Sequence, residues 1–137
     1  MRLELRARTE LTLRTLAALS DRRRRRAVEL AADVGTTPAY LAHLVGPLVR
    51  AGWVESAPGP NGGHRLAVAL STITLLDLIE TVEGPTDDGR CVMIDRTCPS
   101  PEPCALHDTW MRARTALVSE LSSTTLDQLA QNEEDTT

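Results

Sequence analysis

The sequence predicts a mainly α fold with one small β-hairpin: a winged helix-turn-helix followed by a long C-terminal helix. Three observations carry this reading. Between Ala27 and Val49, two amphipathic helical patterns are separated by Gly35-Thr36-Thr37-Pro38, a helix stop followed at once by a helix start. Directly after them, two short strand-like runs flank Ala57-Pro58-Gly59-Pro60-Asn61-Gly62-Gly63, a turn-forming stretch. The composition agrees: Phe is absent, Tyr occurs once and Trp twice, and Leu, Ala and Val supply most of the apolar content, which suits helices better than a sandwich.

At 137 residues the chain is expected to form one domain with an appended helical segment, too short for two independent cores. No stretch approaches the roughly 20 apolar residues of a membrane span, and there is no apolar N-terminal run of the secretory kind, so a cytoplasmic location is expected. In that reducing compartment three cysteines point to metal ligands or reactive thiols rather than a disulfide framework. The net charge of -4 conceals an asymmetry. Residues 1–70 carry 11 Arg against 6 acids, net +5, and residues 71–137 carry 4 Arg against 13 acids, net -9. A basic front half can meet phosphates while an acidic rear half faces away.

Residues 6–20 read as the first helix, with an apolar stripe through Leu13, Leu16, Ala17 and Leu19, widened by Leu5 and Leu11. Glu10 lies near its start, where a carboxylate is favoured by the helix dipole. The run Arg22 to Arg26 reads as an exposed connection of mutually repelling charges, with a phosphate contact as the functional alternative. In the next helix Val28, Leu30, Ala31 and Val34 form the apolar face, and Gly35 is placed to close it in a left-handed conformation. Thr37 is the expected N-cap of the following helix, with Pro38 at its first position, where a missing N–H costs nothing.

In this second helix of the motif Leu41, Leu44, Val45, Leu48 and Val49 are expected inward. Thr37, Ala39, Tyr40 and His43 are expected outward, as candidates to enter a major groove, although Tyr40 and His43 also suit ordinary half-buried positions. Gly46-Pro47 predicts a kink or an early break. Trp53 to Ser56 and His64 to Val68 then form the hairpin, a wing. Asn61, Gly62 and Gly63 at its tip allow close approach to a phosphate, and Arg65 can reach a phosphate or the minor groove. Thr74 and Asp77 start a further helix as a variant capping box, and Gly84 ends it.

Residues 85–103 form a long loop holding Cys91 and Cys98 and ending at Cys104, in the spacing C-x6-C-x5-C, with His107 just beyond. Soft thiolates select an iron-sulfur cluster, zinc or cuprous copper, and the spacing by itself leaves cluster, zinc and metal-free thiols open. A final helix from about Leu106 to Leu121 is expected to serve dimerisation, with Trp110, Leu117 and Leu121 at helical spacing. A short helix capped by Thr125 and a frayed acidic tail follow.

Taken together the chain resembles the bacterial iron-sulfur winged-helix regulators of the IscR and NsrR type. The resemblance rests on MRL at the start, ELTLRTL in the first helix, PAYLAHL and RAGWVES in the reading helix and first wing strand, GPNGGHRLA in the wing, ITLLDLIETVEG behind it, the three cysteines, and TTLDQL near the end. It implies a homodimeric, operator-binding regulator, a repressor rather than an enzyme. Its duplex-DNA affinity would be controlled by an iron-sulfur cluster, [4Fe-4S] ahead of [2Fe-2S], that senses nitric oxide, oxygen or redox state. It also implies a fourth, non-cysteine ligand: Glu10 from the partner subunit is placed first, as in NsrR-like members, and His107 second, as in the IscR type. Two departures limit the likeness, since Pro58-Gly59 replaces an Arg-Gly found in the wing of many relatives and Ala42 replaces an acidic residue of IscR. The alternatives are a winged-helix regulator with structural zinc or redox-active thiols and, more remotely, a thiol enzyme or electron carrier. The expected organisation is a DNA-binding domain over 1–84, a cysteine-bearing loop over 85–105 and a dimerisation segment over 106–137.

Overall fold

The structure is a computed structural model and describes residues 4–93 and 102–135. Helices α1 (Ala7–Ala18), α2 (Ala27–Val34) and α3 (Pro38–Arg50) lead into strands β1 (Val54–Ala57) and β2 (Gly63–Leu66). A 3-10 turn at Leu70–Thr72 precedes α4 (Leu75–Glu83), and α5 (His107–Ser123) and α6 (Leu126–Asp135) close the chain. The two strands pair antiparallel in the register Val54 with Leu66, Glu55 with Arg65, Ser56 with His64 and Ala57 with Gly63. This is the winged helix-turn-helix that the sequence predicts, with the long helix behind it.

The core is built from leucines. Leu16 and Leu19 meet Leu30 of α2, Leu41, Leu44 and Leu48 of α3, Leu78 of α4 and Leu126 of α6, all essentially without solvent exposure. Each such side chain contributes about 2 kcal/mol of transfer free energy. The wing is pinned to this core at one end by Val54 and Leu66, which are paired across the hairpin and both buried. Helix α6 returns to the same core through Leu126, whose amide donates to the Ile73 carbonyl, while the Leu75 amide donates to the Thr124 carbonyl. The acidic tail is not frayed as expected, because α6 continues through it to Asp135.

Three further expectations change. The buried face of α1 runs through Thr9, Thr12, Thr15 and Leu16 as well as Leu19, whereas Leu11 and Leu13 are only partly buried and Leu5 is exposed. Threonine is tolerated there because each hydroxyl has an acceptor: Thr12 donates to the Arg8 carbonyl, Thr15 to the Leu11 carbonyl, and Thr9 to the Glu83 carboxylate. Val28 is 68% exposed, because the buried stripe of α2 passes through Leu30, Ala31 and Val34 and leaves it on the outside. Val49 is also exposed, one position beyond Leu48 at the end of the α3 stripe.

Glu83 ties the end of α4 to the start of α1, accepting from the Arg6 amide at 3.0 Å and from the Thr9 hydroxyl. Burial alone would raise its pKa, but the Thr9 and Arg6 bonds outweigh that and hold it below the ordinary glutamate value. A depressed carboxylate stabilises the fold above its unfolded-state pKa, and the contribution is lost as the pH falls through the lower folded-state value. Glu83→Ala should therefore cost about 1–3 kcal/mol at neutral pH, since it also strands the buried Thr9 hydroxyl. Urea denaturation at neutral pH and at about pH 3 checks this, because the charge-dependent part of the loss should shrink in acid.

Candidate DNA-reading surface and cysteine site

The turn between α2 and α3 is made by the expected residues. Gly35 adopts the left-handed conformation, φ 82° and ψ 39°, and its amide donates to the Ala31 and Ala32 carbonyls. Thr37 caps α3, its hydroxyl accepting from the Tyr40 amide at 3.2 Å, with Pro38 at the first helical position. Leu41, Leu44, Val45 and Leu48 fasten α3 to the core, which leaves Thr37, Ala39, Tyr40 and His43 exposed along one side. The rings of Tyr40 and His43 lie 6.5 Å apart and tilted, so two polar aromatic side chains stand together on that face.

Pro47 does not break α3, which is helical without interruption from Pro38 to Arg50. Proline removes the N–H that would bond the carbonyl four residues earlier, that of His43. The Arg8 guanidinium reaches over from α1 and donates to this carbonyl at 3.5 Å.

The arginine run is more than a charged connection. Arg25 pairs with His64 as an isolated antiparallel bridge, each amide donating to the other's carbonyl at 2.8 Å, so the run lies alongside the outer strand of the wing. Arg25 also spans Asp21 at 2.9 Å and Asp33 at 3.5 Å, and Arg24 donates to the Gly63 carbonyl. Arg22, Arg23, Arg24 and Arg26 remain exposed beside the wing. On the hairpin itself Arg65 is ion-paired with Glu55 opposite it, and that guanidinium holds the Glu55 carboxyl below its ordinary pKa. Partial burial, aided by the nearby Arg24 charge, lowers the pKa of His64, and its Nδ1 shares a 2.7 Å hydrogen bond with the Ser56 hydroxyl.

At the wing tip Asn61 is exposed, whereas Gly62 and Gly63 are held by their own chain. A Cβ on Gly62 would run into the Ala57 and Pro58 carbonyls, and one on Gly63, at φ 128°, into the Arg25 carbonyl. Their first requirement is thus internal: no side chain fits between the wing and the backbone it packs against.

Cys91 and Cys104 come together although 13 positions apart, with their sulfurs 3.5 Å from each other, well beyond the ~2.0 Å of a disulfide. Cys98 lies outside the described residues. His107, in the first turn of α5, lines the same depression of about 190 Å³, with Asp87, Trp110, Met111 and Arg114 among its other walls. Arg114 fixes one wall, donating to Asp87 at 2.8 Å. Its Nε is buried without a hydrogen-bond partner. The Asp87 carboxyl is held below its usual range by the Gly89 amide and by Arg114. Among the described residues no three His, Cys, Asp or Glu side chains are grouped to hold a metal ion. The described residues bring together Cys91, Cys104 and His107 around this depression, without grouping the three tightly. Glu10 of the same chain does not line the depression; it is exposed on α1 and paired with Arg14 at 2.6 Å.

Comparison with known proteins decides the family. A family model described as an iron-dependent transcriptional regulator, Rrf2, matches residues 5–132. The chain belongs to the Rrf2 family. It is 37% identical over 91 residues to the HTH-type transcriptional regulator CymR of Bacillus subtilis, covering 66% of this chain and 61% of that protein. It is 31% identical over 100 residues to IscR of Photorhabdus laumondii, covering 73% of this chain and 60% of that protein. The matched segment thus spans about three fifths of the length of these curated relatives. Among solved structures, CymR, the global cysteine regulator of B. subtilis, superposes with a TM-score of 0.74 at 30% identity, over 96% of this chain and 98% of that one. The structure of T. potens IscR shares the fold at a TM-score of 0.74 and 20% identity, over 98% of this chain and 90% of that one.

In this Rrf2 chain some residues of the site escaped the sequence reading. Asp87, Met111 and Arg114 were not singled out by the sequence. The available clue was spacing: Arg114 lies two helical turns after His107, so the two share one side of α5. The pairing of Arg25 with His64 had no local signature, because a β-bridge between residues so far apart in sequence cannot be read from either segment alone.

Proposed function

We propose that this Rrf2-family chain is a homodimeric, operator-binding transcription regulator, acting as a cytoplasmic repressor, whose DNA affinity is set by an iron-sulfur cluster. The observation that carries it is the convergence of Cys91 and Cys104 on a depression walled by α5, in a chain whose exposed α3 and wing present a reading surface. Thr37, Ala39, Tyr40 and His43 would meet base edges. Asn61 and the exposed arginines of 22–26 would meet phosphates, with the Gly62 and Gly63 backbone close by. Arg65 can join them only by leaving Glu55.

Cys91, Cys98 and Cys104 would hold the cluster, with Glu10 of the partner subunit as fourth ligand ahead of His107. The cluster, when bound, supplies a change of charge and ligation on meeting nitric oxide, oxygen or an altered redox state. The 3.5 Å sulfur separation is close to the roughly 3.8 Å of two thiolates on one tetrahedral metal with bonds of about 2.3 Å. That separation would let Cys91 and Cys104 serve one metal centre, cluster or zinc, with [4Fe-4S] the form placed first from sequence. Helix α5 supports the dimer: none of its 17 residues is buried, and Met111 and Leu117 are exposed along it, with Leu106 just before its first turn. Two reading helices would then address half-sites about one DNA turn, or a multiple of it, apart.

The same sulfur proximity favours a second reading, in which Cys91 and Cys104 act as a redox-active thiol pair or bind zinc. Likeness to CymR, described as a cysteine regulator, fits it. One experiment separates the two. Protein purified anaerobically is assayed for visible absorbance, iron and sulfide, then titrated with duplex DNA that it has selected from a random library, before and after iron removal. A coloured protein whose affinity changes at least about tenfold on iron removal is expected. A colourless zinc-loaded or metal-free protein with unchanged affinity overturns the cluster, and failure to select any sequence overturns the regulator.

A further inference from the structure

An α-helical carbonyl normally accepts from the N–H four residues later, and in α3 the residue that should serve His43 is Pro47, which has none. A proline in this position ordinarily kinks or ends a helix, yet α3 continues to Arg50. From outside the helix, Nη2 of Arg8, a half-buried residue of α1, donates to the His43 carbonyl at 3.5 Å. The bond is at the long limit, from a cationic donor, and it reaches a carbonyl that Pro47 cannot serve.

The two ends of this contact are placed with consequence. His43 is one of the exposed side chains on the reading face, adjacent to Tyr40, and α3 has no polar anchor to α1 in its neighbourhood other than Arg8 among the bonds described. Arg8 stands two residues before Glu10 on the same helix. We propose that Arg8 is a positioning residue for DNA reading: by taking the place of the N–H that Pro47 lacks, it makes the aim of Tyr40 and His43 depend on where α1 sits. The leucine packing sets how α3 lies against α1, and the Arg8 bond adds a polar tie at the backbone of a reading residue. Helix α3 borrows this bond from its neighbour, so any displacement of α1, including one transmitted through Glu10, reaches the reading face through the His43 carbonyl. The inference rests on α3 being the DNA-reading helix.

The test is a double-mutant cycle of wild type, Arg8→Met, Pro47→Ala and the two combined. Affinity is measured for duplex DNA selected by the wild-type protein from a random library, at a temperature well below each variant's Tm. Arg8→Met keeps the aliphatic stem and removes the donors, and Pro47→Ala restores an N–H at position 47 for the His43 carbonyl. Arg8→Met should weaken binding about fivefold in the wild-type background and by less than about twofold in the Pro47→Ala background. Arg8→Lys, which retains a cationic donor, should recover most of the affinity. An equal loss in both backgrounds would mean that Arg8 acts on phosphate directly, and no loss in either would mean that the contact is idle; both overturn the proposal. If the wild-type protein selects no sequence, the DNA reading of α3 fails and this inference with it, whereas wild-type binding with an additive cycle sinks this inference alone.

Discussion

Gly63→Ala is expected to destabilise the protein by about 3 kcal/mol or more, lowering Tm by on the order of ten degrees. Two costs add. The backbone at Gly63 has φ 128°, a region that L side chains rarely adopt, and a Cβ there would overlap the Arg25 carbonyl oxygen and crowd the Arg26 Cα. The chain cannot yield cheaply, because Arg25 is locked to His64 by two 2.8 Å backbone bonds and by ion pairs to Asp21 and Asp33. Relief would have to come from parting the wing and the 22–26 segment, which loses the bridge. Gly59→Ala is the matched control: φ is 91° but nothing lies within 4 Å of its Cβ, so only about 1 kcal/mol is expected. Thermal unfolding followed by circular dichroism distinguishes the two readings of this glycine. A Gly63→Ala protein with the Tm of wild type but weakened DNA binding would show that the position is kept small for a phosphate rather than for Arg25.

Where bonding is local, the sequence is legible. Gly35, Thr37 and Pro38 announce the turn of the helix-turn-helix because each acts within four residues of itself, through φ, a hydroxyl cap and a missing N–H. Thr74 and Asp77 announce α4 in the same way, and both bonds of their capping box form. The hairpin was legible to within a residue or two, from alternation and turn chemistry. Elsewhere the deciding partner is remote. The α1 face could not be read by hydropathy, because Thr9, Thr12 and Thr15 count as polar until their hydroxyl acceptors are known, and for Thr9 that acceptor is Glu83, 74 positions away. At Pro47 a kink or an early break was expected; α3 runs on to Arg50, and the Arg8 bond to the His43 carbonyl that accompanies it has no local sequence signal. For the site, the cysteine spacing told which chemistry to consider and the family resemblance told how to arrange it. The walls supplied by Arg114 and Asp87 follow from how the loop lies on α5.

Charge follows the same division. The exposed arginines of 22–26 sit beside the wing, on the basic half of the chain, while several carboxylates of the acidic half are put to structural use: Asp77 caps α4, Glu80 accepts from the Thr86 amide and hydroxyl, and Asp87 holds Arg114. A phosphate backbone approaching α3 and the wing therefore meets positive charge first, and a net charge of -4 is no obstacle to it. Among the described residues, only Arg25 of the run is ion-paired to internal acids, Asp21 and Asp33.

Cys104→Ser is expected to abolish the metal-dependent behaviour while leaving the fold in place. Cys104 is half-buried and outside the leucine core, and its carbonyl, which accepts from the His107 amide at 3.0 Å to start α5, is untouched by the substitution. Stability without metal should change by no more than about 0.5 kcal/mol. The chemistry at the sulfur changes completely, since a serine hydroxyl is neither a soft donor nor ionised at neutral pH, and the partnership with Cys91 at 3.5 Å is gone. Anaerobically purified Cys104→Ser protein should thus be colourless, carry iron at background level, and bind its selected DNA with one affinity whether or not iron has been offered. If the two sulfurs, 3.5 Å apart, serve one centre as proposed, Cys91→Ser should behave alike. If Cys104→Ser kept the wild-type chromophore and iron content, the centre would not lie in this depression at all. If both serine variants lost iron but still weakened on oxidation, the Cys91 and Cys104 pair would be excluded as the oxidised group, and the redox response would have to be sought at Cys98.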